Sequence, residues 1–252
     1  MSGETDKWVE SWELQQNLEI RGREERFNFL VGLAGHFSGA NANILDLACG
    51  PGSLGGRYTK RFNGATSVGV DYDPVLLHLA RNYTGYDHER MSFLEANLSE
   101  PAWTQVVSPR TFDAVLSTTA LHWLDEQSLG KLFSEIYQVL GKRGIFLNGD
   151  HLYPAKENEM IRSLFNDVRH KHQEFMKGNG KGVTWQKWWE GIGKVEEIKP
   201  LMEERKRRYP EADNHNHLVS LDQHIKFLLD VGFSAVEVGW QDPDNKVIVA
   251  IK

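Results

Sequence analysis

The chain has 252 residues, of which 40% are hydrophobic and 25% charged, and its formal net charge is −6. This length allows one full α/β domain or a domain with a large insert. Because the net charge is negative, the protein as a whole does not attract nucleic-acid phosphates by its overall charge. The single cysteine, Cys49, excludes an internal disulfide and a multi-cysteine zinc site. No apolar run reaches the ~18 residues of a membrane helix and Met1–Lys7 is polar, so we expect a cytoplasmic protein.

Two helices, Trp8–Ile20 and Arg23–His36, are predicted before the first strand, because apolar residues recur there at helical spacing. Strands and helices then alternate along the chain, which indicates a parallel sheet with right-handed crossovers. The predicted strands are Ile44–Leu47, Ser67–Val70, Met91–Glu95, Phe112–Ser117 and Gly144–Asn148. The predicted helices between them are Ser53–Phe62, Pro74–Asn82 and Asp125–Leu140, the last ended by Gly141 or Gly144.

The alternation stops after the fifth strand. His151–Asn216 shows helical stretches without a strand pattern, and Leu221–Val231 then resumes as a helix that Gly232 ends. Ser234–Trp240 and Lys246–Lys252 are predicted as two closing strands. We therefore expect a single α/β domain, with N-terminal helices at 1–40, a core at 41–151 and 217–252, and a helical insert at 152–216.

The segment around the first strand has the clearest chemical signature. Gly50 and Gly52 let the backbone turn sharply and approach a ligand closely. Ser53 is expected to cap the next helix, whose free N–H groups attract a carboxylate or phosphate. Asp71 follows the second strand, 19 residues after Gly52, near the ~20-residue spacing that places a carboxylate on ribose hydroxyls. The pattern predicts a site for a nucleoside-bearing cofactor.

Asp46 separates two kinds of cofactor. The glycines Gly50, Gly52 and Gly55 also fit the dinucleotide pattern, which is a weak signal by itself. A carboxylate four residues before the first glycine would repel a pyrophosphate, whereas it suits an ammonium group. S-adenosylmethionine carries that ammonium, a carboxylate for the helix N-terminus and a ribose diol for Asp71.

The stretch Asp46-Leu-Ala48-Cys-Gly50-Pro-Gly52 resembles the first motif of the class I S-adenosylmethionine-dependent methyltransferases, acid-x-Gly/Ala-x-Gly-x-Gly. The resemblance implies a doubly wound, seven-stranded Rossmann-like methyltransferase sheet that ends with an antiparallel strand. The N-terminal helices and a helical lid insert after strand five would be added to that sheet.

Two further stretches extend the resemblance. Asp71-Tyr72-Asp73-Pro74 is similar to the second motif, which implies Asp71 on both ribose hydroxyls and Tyr72 against adenine, although Asp71 as a helix cap is the alternative. In the third motif an acid usually binds the adenine amino group, and Asn97 can accept that bond without charge. The implied cofactor-binding residues are Asp46, Ala48, Gly50, Gly52, Asp71, Tyr72, Asn97, Leu98, Thr118 and Thr119.

The stretch after strand four carries the candidate chemistry. Small-molecule members of the family, including the trans-aconitate methyltransferase type, have a similar Ala-x-His-Trp stretch, which implies His122 near the sulfonium; a structural histidine is the alternative. Asp150-His151 ends strand five and can supply a general base. The Asn/Asp-Pro-Pro-aromatic motif for base amino groups is absent. The candidate catalytic residues are His122 and His151, and the candidate acceptor-binding residues are Trp123, Asp150, Trp185, Trp188 and Trp189.

The insert is basic and rich in tryptophan. Residues 160–210 contain 12 Lys and Arg against 7 Asp and Glu. The three tryptophans lie on one helical face and are predicted to wall the cleft as part of a lid, with a core of the insert or a second subunit as alternatives. Asp213, His215 and His217 match no zinc signature, so no metal is predicted.

The predicted function is methyl transfer from S-adenosylmethionine, with S-adenosylhomocysteine as product, to an O or N atom of a small molecule. An RNA methyltransferase that uses the basic insert, and a regulatory protein that binds the cofactor without catalysis, are the alternatives. We expect neither a nucleic-acid nor a membrane partner, and the oligomeric state stays open, a homodimer included.

Overall fold

The computed structural model describes residues 2–101, 103–154, 158–178, 183–210 and 219–252. Its strands are β1 (Asn43–Leu47), β2 (Thr66–Asp71), β3 (Met91–Glu95), β4 (Phe112–Thr118), β5 (Leu140–His151), β6 (Ala235–Asp242) and β7 (Asn245–Ile251). Its helices are α1 (Ser2–Glu19), α2 (Arg23–Ser38), α3 (Ser53–Arg61), α4 (Pro74–Asn82), α5 (Trp103–Val107), α6 (Glu126–Val139), α7 (Glu159–Gly178), α8 (Trp185–Ile192), α9 (Lys199–Arg208) and α10 (Leu221–Val231). None of the helices in these ranges has the length and apolarity that a membrane crossing requires.

The seven strands form one sheet in the order β3-β2-β1-β4-β5-β7-β6. Strands β1 to β5 pair in parallel, and β7 pairs antiparallel with both β5 and β6. The predicted doubly wound, seven-stranded Rossmann-like sheet is confirmed. The strand order changes direction between β1 and β4, and open sheets of this kind bind ligands at the carboxyl ends of such strands.

Helices cover both faces of the sheet, which explains why the central strands are nearly continuous apolar runs. Ile145 and Leu147 of β5 belong to a core with α2 and α3, whereas Phe146 between them packs in the core with α6 and α10. Successive residues of a strand point to opposite faces, so one strand supplies both cores.

The passage from α6 to β5 differs from the prediction. Helix α6 ends at Val139, and Leu140 is already extended, with φ −70° and ψ 137°. Gly141 and Gly144 lie inside β5, so the expectation that a glycine ends the helix was wrong. A residue that leaves the helical region can start the next strand directly, without a left-handed turn. Strand β5 also runs on to His151, which brings that residue to the carboxyl edge of the sheet.

Candidate functional site

The turn after β1 bends through three residues with left-handed backbone conformation. The φ angles are 52° at Ala48, 56° at Gly50 and 87° at Gly52. A non-glycine residue at positive φ is uncommon and marks a backbone held by its surroundings. A Cβ atom at Gly52 would stand 2.8 Å from the ring of Phe93, so only glycine fits there. The sequence thus forces the chain into a tight loop at the carboxyl end of β1.

The start of α3 differs from the expectation for Ser53. Gly52 is the N-terminal cap residue, and no side chain caps the helix. The Ser53 hydroxyl instead donates a hydrogen bond to Glu13 of α1. The predicted capping role of Ser53 was therefore wrong, because this side chain turns toward the N-terminal helix.

Asp46 lies beneath this turn with one oxygen unused. Its Oδ2 accepts a hydrogen bond from the Gly55 N–H at 3.0 Å. Its Oδ1 is buried and has no hydrogen-bond partner among the described residues. Burial, against the hydrogen bond from Gly55, raises the pKa of Asp46 to about 7. A buried acceptor without a donor costs free energy, and a cationic group at this turn would supply the missing donor. The site thus fits the ammonium group of S-adenosylmethionine.

Asp71 ends β2 and faces the same turn. Its Oδ2 accepts from the Gly50 N–H at 2.7 Å, and its Oδ1 accepts from the N–H groups of Tyr72 and Asp73 at 2.7 and 2.8 Å. Burial raises the pKa of Asp71 to about 6. The cap of α4 is Asp73, which accepts from the N–H of Val75. Asp71 is therefore not the helix cap, and its contact with both ribose hydroxyls stays a prediction.

The other residues expected at adenine lie at the ends of β2 and β3. The ring of Tyr72 has the guanidinium of Arg208 4.6 Å from its centre. The Asn97 carbonyl oxygen accepts from the Ser99 N–H at 3.0 Å, and Leu98 packs against the core on the α6 face of the sheet. Their contacts with adenine stay predictions, and Tyr72 already has a cationic partner from α9.

Thr118 ends β4 and Thr119 follows it, and a buried arginine contacts Thr119. Thr119 has a φ of 56°, which is strained for a β-branched residue. Its hydroxyl accepts a hydrogen bond from Arg26 of α2, which also donates to Asn245 at 2.6 Å. Arg26 is fully buried, and burial lowers its pKa to about 10. Arg26 was not identified from the sequence. The available signal was its position one helical turn before Leu30, which places a charged residue on the apolar face of α2.

His122 and Asp150 meet at the carboxyl ends of β4 and β5. Nδ1 of His122 lies 2.6 Å from Oδ1 of Asp150, and the His122 N–H donates to Oδ2 at 3.1 Å. Asp150 is completely buried. Burial opposes its ionisation, but the hydrogen bond with His122 and the charge of Arg26 hold the pKa of Asp150 below its ordinary value. The structure thus brings together two residues expected to act separately, one in catalysis and one against the acceptor.

The second candidate base, His151, has a carboxylate of its own. Its Nδ1 lies 3.2 Å from Oδ2 of Asp244, and Arg169 of α7 donates to the same oxygen at 3.2 Å. The imidazole rings of His122 and His151 stand 6.1 Å apart, and Trp123 is half-exposed beside His122. Asp244 and Arg169 were not identified from the sequence. The residues around Asp244 are of the types common in turns, so nothing in the sequence distinguishes Asp244 as a site residue.

No group of three or more His, Cys, Asp or Glu residues is arranged to hold a metal within the described ranges. The stretch Asp213-x-His215-x-His217 lies outside those residues.

The tryptophans of α8 pack against the N-terminal helix. The ring of Trp188 is 1% exposed, lies 4.9 Å from that of Trp12, and its Nε1–H donates to Ser11 at 2.9 Å. Trp189 joins the same cluster, and Trp185, 43% exposed, contacts Trp12 at its edge. The expected position of Trp188 as a wall of the cleft is thereby corrected. Trp188 and Trp189 thus bury their apolar rings in a cluster with α1, and this burial stabilises the packing of the two helices.

Comparisons with known proteins agree with this geometry. Residues 44–144 match the model of a methyltransferase domain. The carboxy-S-adenosyl-L-methionine synthase of Campylobacter lari is 27% identical over 128 residues, covering 51% of this chain and 52% of that protein. The trans-aconitate 2-methyltransferase of Delftia acidovorans is 26% identical over 96 residues, covering 37% and 34%. The chain therefore spans about half the length of the first relative and about a third of the second.

Solved structures agree in fold. The magnesium protoporphyrin IX methyltransferase of Synechocystis, solved with bound S-adenosylhomocysteine, superimposes with a TM-score of 0.57 at 13% identity, covering 94% of this chain and 86% of that one. The matched residues 44–144 include the turn after β1, Asp71 and the segment after β4. Residues 44–144 thus resemble a methyltransferase domain, and the chain shares the fold of a solved methyltransferase.

Proposed function

We propose that this protein transfers the methyl group of S-adenosylmethionine to a hydroxyl oxygen or an amine nitrogen of a small molecule, with His122 as the general base. The hydrogen bond between His122 and Asp150 carries this proposal. An ionised carboxylate can only accept, so Nδ1 of His122 bears the proton. The lone pair of the neutral ring is then on Nε2, which has no hydrogen bond within the described part of the chain and can remove the acceptor's proton.

Different residues at the carboxyl edge of the sheet bind different parts of the cofactor. The turn at Gly50 and Gly52 brings the backbone close to it, Asp46 accepts from its ammonium group and Asp71 faces its ribose. The cofactor supplies an already activated methyl group on a sulfonium. The protein therefore has to align the acceptor atom with the methyl and exclude water.

The charges of the insert favour a small acceptor over RNA. Arg205 and Arg208 pair with Asp73 and Glu95 of the core. Lys199 and Lys206 each pair with a glutamate three residues before them. A nucleic-acid site needs cations that face phosphates, whereas these are already engaged by carboxylates.

The relatives leave the acceptor open. One is named for an acceptor, trans-aconitate, and another for a modified form of the cofactor itself. A base near the methyl group is needed only when the acceptor must lose a proton. A carboxylate acceptor is already deprotonated and needs no base. We therefore favour a phenolic or similar hydroxyl, or an amine. Cytoplasmic location and a lid role for 152–216 stay predictions.

The test is incubation with methyl-labelled S-adenosylmethionine and three separate panels of phenols, amines and carboxylic acids. Mass spectrometry follows the methylated acceptor, S-adenosylhomocysteine and any modified cofactor. Turnover with a phenol or amine that falls in His122→Asn supports the proposal. Turnover restricted to carboxylic acids and equal in His122→Asn contradicts the base role. Cofactor binding without any turnover in all panels supports the regulatory alternative.

A further inference from the structure

Helix α9 of the insert is fastened to the strand ends that carry the cofactor residues. Nε of Arg205 lies 2.6 Å from Oδ2 of Asp73, two residues after Asp71. Nη2 of Arg208 lies 2.7 Å from Oε1 of Glu95 at the end of β3, and its Nη1 donates to the Tyr72 carbonyl oxygen at 2.7 Å. Two arginines one turn apart on α9 thus contact the ends of β2 and β3 together.

This attachment is stronger than an ordinary surface ion pair. The Asp73 side chain is buried and that of Arg205 is three-quarters buried, so solvent screens their attraction weakly. The guanidinium of Arg205 also lies 3.9 Å from the ring centre of Trp189, in a cation–π contact. Trp189 belongs to the cluster with α1, so α9 rests on a packed support.

Tyr209 directly follows α9 and is held over the same strand end. Its ring centre lies 5.9 Å from that of Tyr72 in an edge-to-face contact, and Arg205 lies 5.4 Å away. Burial and the charges of Asp71 and Asp73 raise the pKa of Tyr209. The ring still exposes 37% of its surface, so it has contact area left for a ligand.

We propose that α9 and Tyr209 form the outer wall of the adenosine end of the cofactor site, and that the pairs Arg205–Asp73 and Arg208–Glu95 control cofactor exchange. A ligand at Asp71 and Tyr72 lies beneath this wall. Entry and release then require the two pairs to separate, as in enzymes where a lid opens for each turnover. The inference concerns the cofactor alone and is independent of the acceptor and of His122.

The test measures association and dissociation of S-adenosylhomocysteine with the 252-residue chain by stopped-flow displacement. We expect Arg205→Ala and Arg208→Ala to speed dissociation at least tenfold, because the wall loses one of its two attachments. Arg207→Ala is the matched control, since its side chain is 74% exposed and its ion pair is with Glu204 of the same helix. Dissociation of the first two variants within twofold of the control overturns the proposal.

Two further measurements separate a gate from a general loss of structure. Glu95→Gln removes the same pair from the sheet side, so it should speed dissociation like Arg208→Ala, and the double variant should add little. Tyr209→Phe should keep the wild-type rate while Tyr209→Ala speeds release, because the ring forms the wall. Additive effects of the two Arg208–Glu95 variants contradict the gate.

Discussion

Oδ1 of Asp150 lies 2.6 Å from Nδ1 of His122, and this contact joins the end of β5 to the turn after β4. The histidine is partly exposed while the carboxylate has no exposure at all. One partner can therefore meet an acceptor while the other orients it from the protein interior. The fully buried Arg26 adds a positive charge near the carboxylate.

The first prediction concerns this pair. His122→Asn should lower turnover by about 10²–10⁴ while cofactor affinity stays close to that of the wild type, because the base acts only on the acceptor. Asp150→Asn should lower turnover similarly, since the neutral amide no longer fixes the proton on Nδ1. Single-turnover rates and calorimetry with S-adenosylhomocysteine provide the two readouts. His36→Asn, at an exposed position, is the control. Near-normal turnover in His122→Asn would show that His122 has a structural role and is not the base.

The second prediction concerns Asp71. Asp71→Ala should reduce affinity for S-adenosylmethionine at least tenfold, because charge-assisted hydrogen bonds are worth about 1.5–3 kcal/mol each. The carboxylate also holds the Gly50 N–H, so the turn after β1 should loosen as well. Asp87→Ala, at an exposed position, should leave affinity unchanged. Calorimetry measures these affinities. Unchanged affinity for S-adenosylmethionine in Asp71→Ala, or tight binding of NAD, contradicts the assignment of Asp71 to the ribose of S-adenosylmethionine.

The third prediction is a pH dependence from Asp46. Its pKa is about 7 in the folded chain against an ordinary value of 3.8, so between those values the native state holds a proton that the unfolded chain has lost. Stability from this group is therefore present at low pH and falls as pH rises through that window. Asp46→Asn should unfold at higher temperature than the wild type at pH 8, with little difference at pH 4.

The same carboxylate should couple cofactor binding to protons. An ammonium group favours ionised Asp46, so binding at pH 6 should release a proton, and affinity should increase from pH 5.5 to pH 8. Calorimetry in two buffers of different ionisation enthalpy measures that release. Asp46→Asn should bind more weakly at pH 8 and release fewer protons. Equal proton release in both proteins would show that Asp46 does not meet the ammonium group.

The fourth prediction concerns the tryptophan cluster. Trp188→Ala should cost about 3–5 kcal/mol of unfolding free energy, the range for removing a large buried aromatic side chain. Trp185→Ala removes a half-exposed ring from the same helix and should cost less than about 1.5 kcal/mol. Urea unfolding gives both values. A Trp188→Ala variant that keeps its stability but loses acceptor affinity would restore the cleft position.

The fold class and the class of cofactor could both be predicted from the sequence. Both depend on local patterns, namely the alternation of strands with helices and the short spacing from Asp46 through Gly52 to Asp71. Such patterns act within one strand-turn-helix unit, where periodicity and backbone restrictions leave few alternatives. The strand ends Asn43–Leu47 and Met91–Glu95 therefore lie within a residue of their predicted positions.

The contacts between distant side chains could not be predicted in this way, because they depend on the tertiary structure. The pairs His122–Asp150, Arg208–Glu95 and Trp188–Trp12 join residues far apart in the chain. No local pattern encodes such a contact, because it depends on strand order and on where α8 and α9 pack. The spacing of the tryptophans in α8 correctly predicted that they share one apolar face of the helix. It could not predict that this face packs against α1, because helical periodicity shows which residues are buried but not which element buries them.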